Sequence, residues 1–104
     1  MKNPPVVDSL VEKIVAAVHP LKIILFGSVS RGDALEDSDL DLLVVMPSGV
    51  HRRRVAQELY RRINGAGRPF DILVVTPDDL EKHGDNIGLI YSRILREGKE
   101  IYAA

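Results

Sequence analysis

The sequence contains no cysteine and no tryptophan, and aromatic residues make up only 5% of it. Without cysteine the chain can form neither disulfides nor thiolate metal sites, and this composition is compatible with the cytoplasmic location that we expect. No apolar run approaches the roughly 18 residues that a membrane-spanning helix needs. No signal-peptide pattern opens the chain either, so we expect no membrane association.

Charge is balanced overall but unevenly distributed along the chain. Fourteen basic and fifteen acidic residues leave a net charge of −1, which favours no particular class of partner. Residues 33–41 nevertheless carry a local charge of −5, and residues 51–68 carry a local charge of +5. An acidic loop followed by a basic helix suggests a metal site beside a surface that meets phosphate or an acidic partner.

Hydrophobic periodicity predicts a single layered domain over residues 1–104. Apolar residues at helical spacing predict three helices, over 6–18, 52–63 and 86–97. Short apolar runs rich in strand-forming residues predict strands at 22–26, 40–45, 70–75 and 100–102. Gly98 is expected to stop the last helix, and Asp78 to cap a short helix after the third strand. This order indicates an α/β (α+β) fold, a small mixed sheet of three to four strands with helices packed mainly on one face.

Two acidic residues begin the second predicted strand. Alternate residues of a strand point to the same side, so Asp39 and Asp41 would present two carboxylates together. Their neighbours Leu40 and Leu42 would then face the core. Adjacent carboxylates repel each other unless a cation lies between them, and magnesium suits such a site. Alternatively, Asp39 is a turn residue and the carboxylates belong to a solvated strand face.

A third carboxylate, Asp71, interrupts the apolar run of residues 70–75. If this strand neighbours the second one, Asp71 can stand beside Asp39 and Asp41 on one face of the sheet. Three carboxylates in that arrangement can hold two magnesium ions, one on a triphosphate and one on an attacking hydroxyl. Such a pair of ions stabilises both the entering and the leaving oxygen of an in-line displacement.

Gly27 and Ser28 follow the first predicted strand. A glycine at this point lets the backbone approach a ligand closely. A helical turn after it would direct free backbone N–H groups at phosphate oxygens, with the Ser28 hydroxyl as a further donor. By itself Gly-Ser is a common turn, and the segment is neither a Walker A sequence nor a dinucleotide-binding fingerprint.

Three segments together resemble the DNA polymerase beta-like nucleotidyltransferase superfamily. They are Gly-Ser-Val-Ser-Arg-Gly at 27–32, Ser-Asp-Leu-Asp-Leu-Leu-Val-Val at 38–45, and Phe-Asp-Ile-Leu-Val at 70–74. The combination of Gly-Ser, ten residues and Asp-x-Asp is the most specific part. The chain looks most like the minimal nucleotidyltransferases (MNT) of prokaryotes, which pair with HEPN-type proteins as toxin–antitoxin systems.

This resemblance implies a role for each matching residue. Asp39 and Asp41 would bind both magnesium ions, while Asp71 would hold the second ion and help to deprotonate the acceptor hydroxyl. Gly27 and Ser28 would hold the triphosphate tail of ATP. A further residue of the same loop, Arg31, would either contact phosphate or brace the acidic loop through a salt bridge.

The resemblance also implies an activity, the magnesium-dependent transfer of AMP from ATP to a hydroxyl of a partner protein. The chain would be the antitoxin of a HEPN/MNT pair. Separately, any apolar surface of the first and last helices beyond what the core needs would serve a homo- or hetero-oligomeric interface, because a chain this short buries a limited core. Two alternatives stay open: a non-catalytic antitoxin or accessory subunit, and an RNA-modifying nucleotidyltransferase. Only the arginines of 52–68 favour RNA, and a solvated helix face is the commoner explanation for them. Because Tyr60 is the single aromatic residue among these arginines, we expect no nucleic-acid partner.

Overall fold

The computed structural model describes residues 5–26, 40–63, 70–78, 93–94 and 96–104. Its helices and strands are α1 (Pro5–Val18), β1 (Lys22–Phe26), β2 (Leu40–Val45), α2 (Arg52–Arg62), β3 (Phe70–Val75) and β4 (Lys99–Ala103). Residues 93–94 and 96–97 are also helical. All four predicted strands are confirmed, and β1, β2 and β3 have the predicted bounds.

The strands form one mixed sheet in the order β3-β2-β1-β4. β1 pairs antiparallel with both β2 and β4, whereas β2 and β3 are parallel. A parallel pair needs a crossover connection, and α2 lies between β2 and β3 in the chain. The inner strands β1 and β2 have nearly continuous apolar sequences, as strands covered on both faces require.

Both α1 and α2 pack on one face of the sheet, which confirms the predicted layering. Their inward side chains include Val7, Leu10 and Ile14 of α1 and Leu59 of α2. The strands contribute alternate residues to the same cluster: Ile23, Leu25, Leu40, Leu42, Val44 and Val74. Burial of each such side chain stabilises the fold by roughly 1.5–3 kcal/mol. We call this the helix-covered face.

The opposite face carries the remaining alternate residues of the strands, and we call it the carboxylate face. Its buried cluster is smaller and contains Ile24, Leu43, Val45, Val75 and Ile94. Ile94 comes from the last helical segment, which ends where the Gly98 N–H donates a hydrogen bond to the Ile94 carbonyl at 2.6 Å. The expected stop at Gly98 is thus confirmed.

Gly98 is required here for space. A Cβ at this position would lie 2.5 Å from the Ile94 carbonyl oxygen and 3.0 Å from the Leu25 carbonyl oxygen. Backbone atoms cannot yield as side chains can, so only glycine lets this segment approach β1 so closely.

The helix after β3 begins earlier than the sequence suggests, whereas α2 begins at the predicted residue, Arg52. Residues 77–78 are already helical, so Asp78 lies in the first turn and the cap position falls at Thr76. Pro77 then occupies the first helical position, which proline favours. α2 is capped by His51, whose Nδ1 accepts a hydrogen bond from the Arg54 N–H at 3.3 Å. In the described part of the chain, no helix combines the length and apolar character needed to cross a membrane.

Candidate active site

Asp41 is the second residue of β2, an inner strand with neighbours on both sides. On one side its register partner is Phe26, the last residue of β1. On the other side its partner is Asp71, the second residue of β3. The half-buried Asp41 therefore lies at the edge of the sheet where β1 ends and where β2 and β3 begin.

The parallel register brings Asp41 and Asp71 together. Residues opposite each other project from the same face, and neighbouring strands lie about 4.8 Å apart. Asp41 is half-buried and Asp71 is exposed, so both carboxylates are at the rim of the carboxylate face. Like charges in such positions destabilise one another unless a cation or a hydrogen-bond donor compensates them. The pair suits a divalent cation, which prefers carboxylate oxygens.

The leucines beside Asp41 fix this register. Leu40 and Leu42 are both fully buried on the helix-covered face. A slip of one residue would exchange the two faces of β2 and would carry the carboxylate into the apolar core. In β3, Phe70 and Ile72 pack against the same core on either side of Asp71. Core packing therefore determines where the two carboxylates point.

Four of the predicted site residues lie outside the described residues: Gly27, Ser28, Arg31 and Asp39. The structure therefore brings together two of the six, Asp41 and Asp71. Phe26, which directly precedes Gly27 in the chain, is the register partner of Asp41. Within the described ranges, no group of three or more His, Cys, Asp or Glu residues is placed to hold a metal ion. The two paired aspartates carry carboxylate oxygens, the kind of ligand that magnesium prefers.

The basic helix α2 packs on the helix-covered face, opposite to these carboxylates. Its last turn reaches the neighbours of Asp71 through the contacts of Tyr60 with Phe70 and Ile72. The acidic segment of the charge pattern, apart from residues 40–41, lies outside the described residues. The first turn of α2, with Arg52, Arg53 and Arg54, follows the end of β2 that is remote from Asp41. These three side chains are exposed.

At the other end of α2, Arg61 and Arg62 both form ion pairs with Glu58. The hydrogen bond from Arg62 is the largest cause that holds the pKa of Glu58 below its ordinary value, and Arg61 acts in the same direction. These two arginines therefore already have a carboxylate partner on their own helix.

Tyr60 connects α2 to β3. Its ring stacks on Phe70, with ring centroids 5.4 Å apart and ring planes inclined by 15°. Its hydroxyl oxygen accepts a hydrogen bond from the backbone N–H of Ile72 at 2.9 Å. Among the described strands β3 lies at the edge of the sheet, so this hydroxyl satisfies an N–H group without a partner in those strands. Sequence reasoning gave Tyr60 no role, because nothing within the helix shows which strand an aromatic side chain will reach.

These observations define a class of protein, a small α+β domain with paired aspartates at the start of adjacent parallel strands. A family model described as the nucleotidyltransferase domain matches residues 7–103. The chain therefore belongs to the nucleotidyltransferase domain family, and the resemblance drawn from its sequence motifs is confirmed. Family membership supports a transferase activity in general terms.

Two solved structures share this fold. A candidate nucleotidyltransferase from Sulfolobus solfataricus aligns with a TM-score of 0.64 and 21% identity, over 94% of this chain and 78% of that one. A toxin–antitoxin structure with AMP-PNP aligns with a TM-score of 0.60 and 20% identity, over 93% of this chain and 73% of that one. At these identities the likeness concerns the fold alone. Among curated proteins, none matches the chain significantly.

Proposed function

We propose that this chain is a magnesium-dependent nucleotidyltransferase that moves AMP from ATP to a hydroxyl of a partner protein. It would act as the antitoxin of a toxin–antitoxin pair whose toxin is of the HEPN type, in the cytoplasm. Membership of the nucleotidyltransferase domain family supports the class of reaction. The register pairing of Asp41 with Asp71 is the observation that carries the proposal. The shared fold of a toxin–antitoxin structure with AMP-PNP supports the partner and the nucleotide.

In the proposed reaction, the acceptor oxygen forms a bond to the α-phosphorus of ATP. The bond from that phosphorus to the bridging oxygen breaks, and pyrophosphate leaves. Asp39 and Asp41 would hold two magnesium ions, and Asp71 would hold the second ion and take the proton of the acceptor hydroxyl. Bound magnesium would neutralise the charge that develops on the phosphate oxygens.

The loop after β1 would position the nucleotide. Gly27 and Ser28 would contact the triphosphate through backbone N–H groups and a hydroxyl. Arg31 would either contact the phosphates or brace the acidic loop. The chain position of Gly27, directly after the register partner of Asp41, supports this assignment.

The acceptor would approach over β3. Asp71 is exposed, and Leu73, two residues further on and on the same face, is 44% exposed. A carboxylate and an apolar side chain are thus both accessible beside the proposed metal site. A protein surface that presents a hydroxyl among apolar residues would fit this strip, and the partner would supply the rest of the acceptor site.

The two alternative functions, a non-catalytic binding subunit and an RNA-modifying enzyme, explain fewer of these features. A subunit that acts only by covering its partner has no need for two aspartates in register. An RNA-modifying enzyme would use the α2 arginines for binding, but α2 packs on the face of the sheet opposite to Asp41 and Asp71. An RNA end held along α2 would therefore lie on the wrong face for transfer.

The test is transfer of label from ATP labelled on the α-phosphate, with magnesium, in lysate of the source organism. We expect label on a protein band, and we expect Asp39→Asn with Asp41→Asn to abolish it. Asp78→Asn is the matched control, because it makes the same change at an exposed aspartate beyond the other end of β3. Label on RNA would support the RNA-modifying alternative. A stable partner complex without transfer, unaffected by the aspartate changes, would show that the chain acts by binding.

A further inference from the structure

We infer that Tyr60 is a positioning residue for Asp71: from the helix-covered face, it fixes the backbone on both sides of the exposed carboxylate. The inference rests on the proposed function in so far as Asp71 is taken to bind magnesium. Tyr60 belongs to α2 and does not share a face of the sheet with Asp71, so it acts only through β3.

The two contacts of Tyr60 fall on the immediate neighbours of Asp71. The ring stacks on the side chain of Phe70, and the hydroxyl accepts the N–H of Ile72 at 2.9 Å. One contact uses the aromatic face and the other uses the polar tip of the same side chain. Asp71 is thus held between two residues whose positions relative to α2 are fixed.

β3 needs this support because of its place in the sheet. Within the part of the chain that the structure describes, it is an edge strand with β2 on one side only. Asp71 is its second residue, close to the point where the strand begins. Strand ends with few hydrogen bonds open more readily than strand centres. Of the described contacts, this end of β3 would keep without Tyr60 its ladder with β2 and the apolar contacts of Phe70 and Ile72.

The position of Asp71 matters because two carboxylates that share metal ions must keep a defined separation. Asp41 is held in an inner strand by ladders on both sides, whereas Asp71 has a ladder on one side only among the described strands. Displacements of about 1 Å at a metal or reacting centre reduce catalysis strongly. Tyr60 therefore provides for Asp71 part of the restraint that a second neighbouring strand provides for Asp41.

The experiment compares Tyr60→Phe with Tyr102→Phe. Both changes remove one phenolic hydroxyl, but Tyr102 is a half-buried residue of β4, at the other edge of the sheet. The first measurement is the magnesium concentration that gives half-maximal binding of AMP-PNP, used as a non-transferable probe. The second is the magnesium concentration that gives half the maximal rate of AMP transfer. The third is the hydrogen exchange rate of the Ile72 amide.

We expect Tyr60→Phe to raise both magnesium concentrations, and the exchange rate at Ile72, by about fivefold, the effect of losing one neutral hydrogen bond. Saturating magnesium should restore most of the transfer rate, and Tyr102→Phe should leave all three values unchanged. A purely structural role would lower the unfolding temperature without changing the magnesium requirement. Equal magnesium requirements in the two variants would overturn the inference.

Measuring both magnesium-dependent binding and AMP transfer distinguishes a failure of this inference from a failure of the proposed function. If the wild-type chain binds magnesium and AMP-PNP but transfers nothing, the proposed function fails, and the binding measurement still decides the role of Tyr60. If transfer occurs with an unchanged magnesium requirement in Tyr60→Phe, the proposed function stands and the inference is wrong. Tyr60→Leu, which also removes the stacked ring, should raise the requirement beyond that of Tyr60→Phe. A magnesium requirement of Tyr60→Leu equal to that of the wild type would contradict the inference as well.

Discussion

The helix-covered face and the carboxylate face are built from the same strands, yet they differ in what they expose. On the first, Leu40, Leu42 and Val44 of β2 are fully buried beneath the helices. On the second, Leu43 and Val45 are buried, but Asp41 is only half-buried. The difference grows towards the edge of the sheet, where Asp71 and Leu73 of β3 are exposed.

Because side chains alternate between the two faces of β2, the residues that stabilise the fold and the residue proposed for the chemistry are immediate neighbours in the sequence. Asp41 lies between two fully buried leucines, and its carboxylate is directed by their packing rather than by a loop. A site supported by a central strand is held more precisely than one on a mobile connection. The comparison predicts that neighbouring substitutions will affect different properties, either transfer or folding.

The largest effect is expected from Asp41→Asn on AMP transfer. Removal of a shared metal ligand removes several kcal/mol of transition-state stabilisation, so the rate should fall by about a thousandfold or more. The free energy of unfolding should change by less than about 1 kcal/mol, because the side chain is half-buried and keeps its size. Transfer rates and denaturant unfolding of the same preparation measure both quantities. Loss of folding in parallel with loss of transfer would contradict the separation of the two faces.

Leu42→Ala, one residue further along β2, should have the opposite profile. Leu42 is fully buried beneath the helices, so the change should lower the free energy of unfolding by about 2–5 kcal/mol. The fraction that remains folded should still bind magnesium and AMP-PNP, since the ladder around Asp41 is intact. Leu21→Ala is the control, because this leucine is exposed. An equal loss of stability in both variants would show that burial on the helix-covered face is not the main source of the free energy of unfolding.

On the carboxylate face itself, we expect a smaller difference, between the stabilities of two leucine variants. Leu43 and Leu73 are register partners in β2 and β3, but only Leu43 is buried. Leu43→Ala should cost about 2–5 kcal/mol of unfolding free energy, whereas Leu73→Ala should cost less than about 1 kcal/mol. Denaturant unfolding of the two variants measures the difference. Similar costs would mean that the two positions are equally covered in solution.

The sequence predicted the parts of the fold that depend on local patterns. Apolar runs such as 40–45, bounded by polar or turn-forming residues, defined the strands, and acids inside such runs marked Asp41 and Asp71. The strand order and the placement of α2 behind the sheet follow from contacts between distant segments, which no local pattern records. For the same reason the link from Tyr60 to Ile72 was not predicted. Asp78 was misplaced because Thr76 and Pro77 together begin the helix two residues earlier than a lone aspartate cap suggests.

The smallest effect on stability is expected from a substitution on the outer surface of α2, which belongs to neither face of the sheet. Arg62 and Arg61 lower the pKa of Glu58, so their pairing stabilises the fold above the pKa that free glutamate has, about 4.3. This contribution is lost as the pH falls through the lower pKa of the folded state.

Glu58→Gln should therefore narrow slightly the difference in unfolding temperature between pH 7 and pH 3. High salt should reduce the effect, because the pair is exposed and screened. Asp78→Asn serves as the control, since Asp78 is an exposed carboxylate outside α2. A larger effect of Glu58→Gln than of Leu42→Ala would contradict the view that the helix-covered face, and not the charged surface of α2, stabilises this domain.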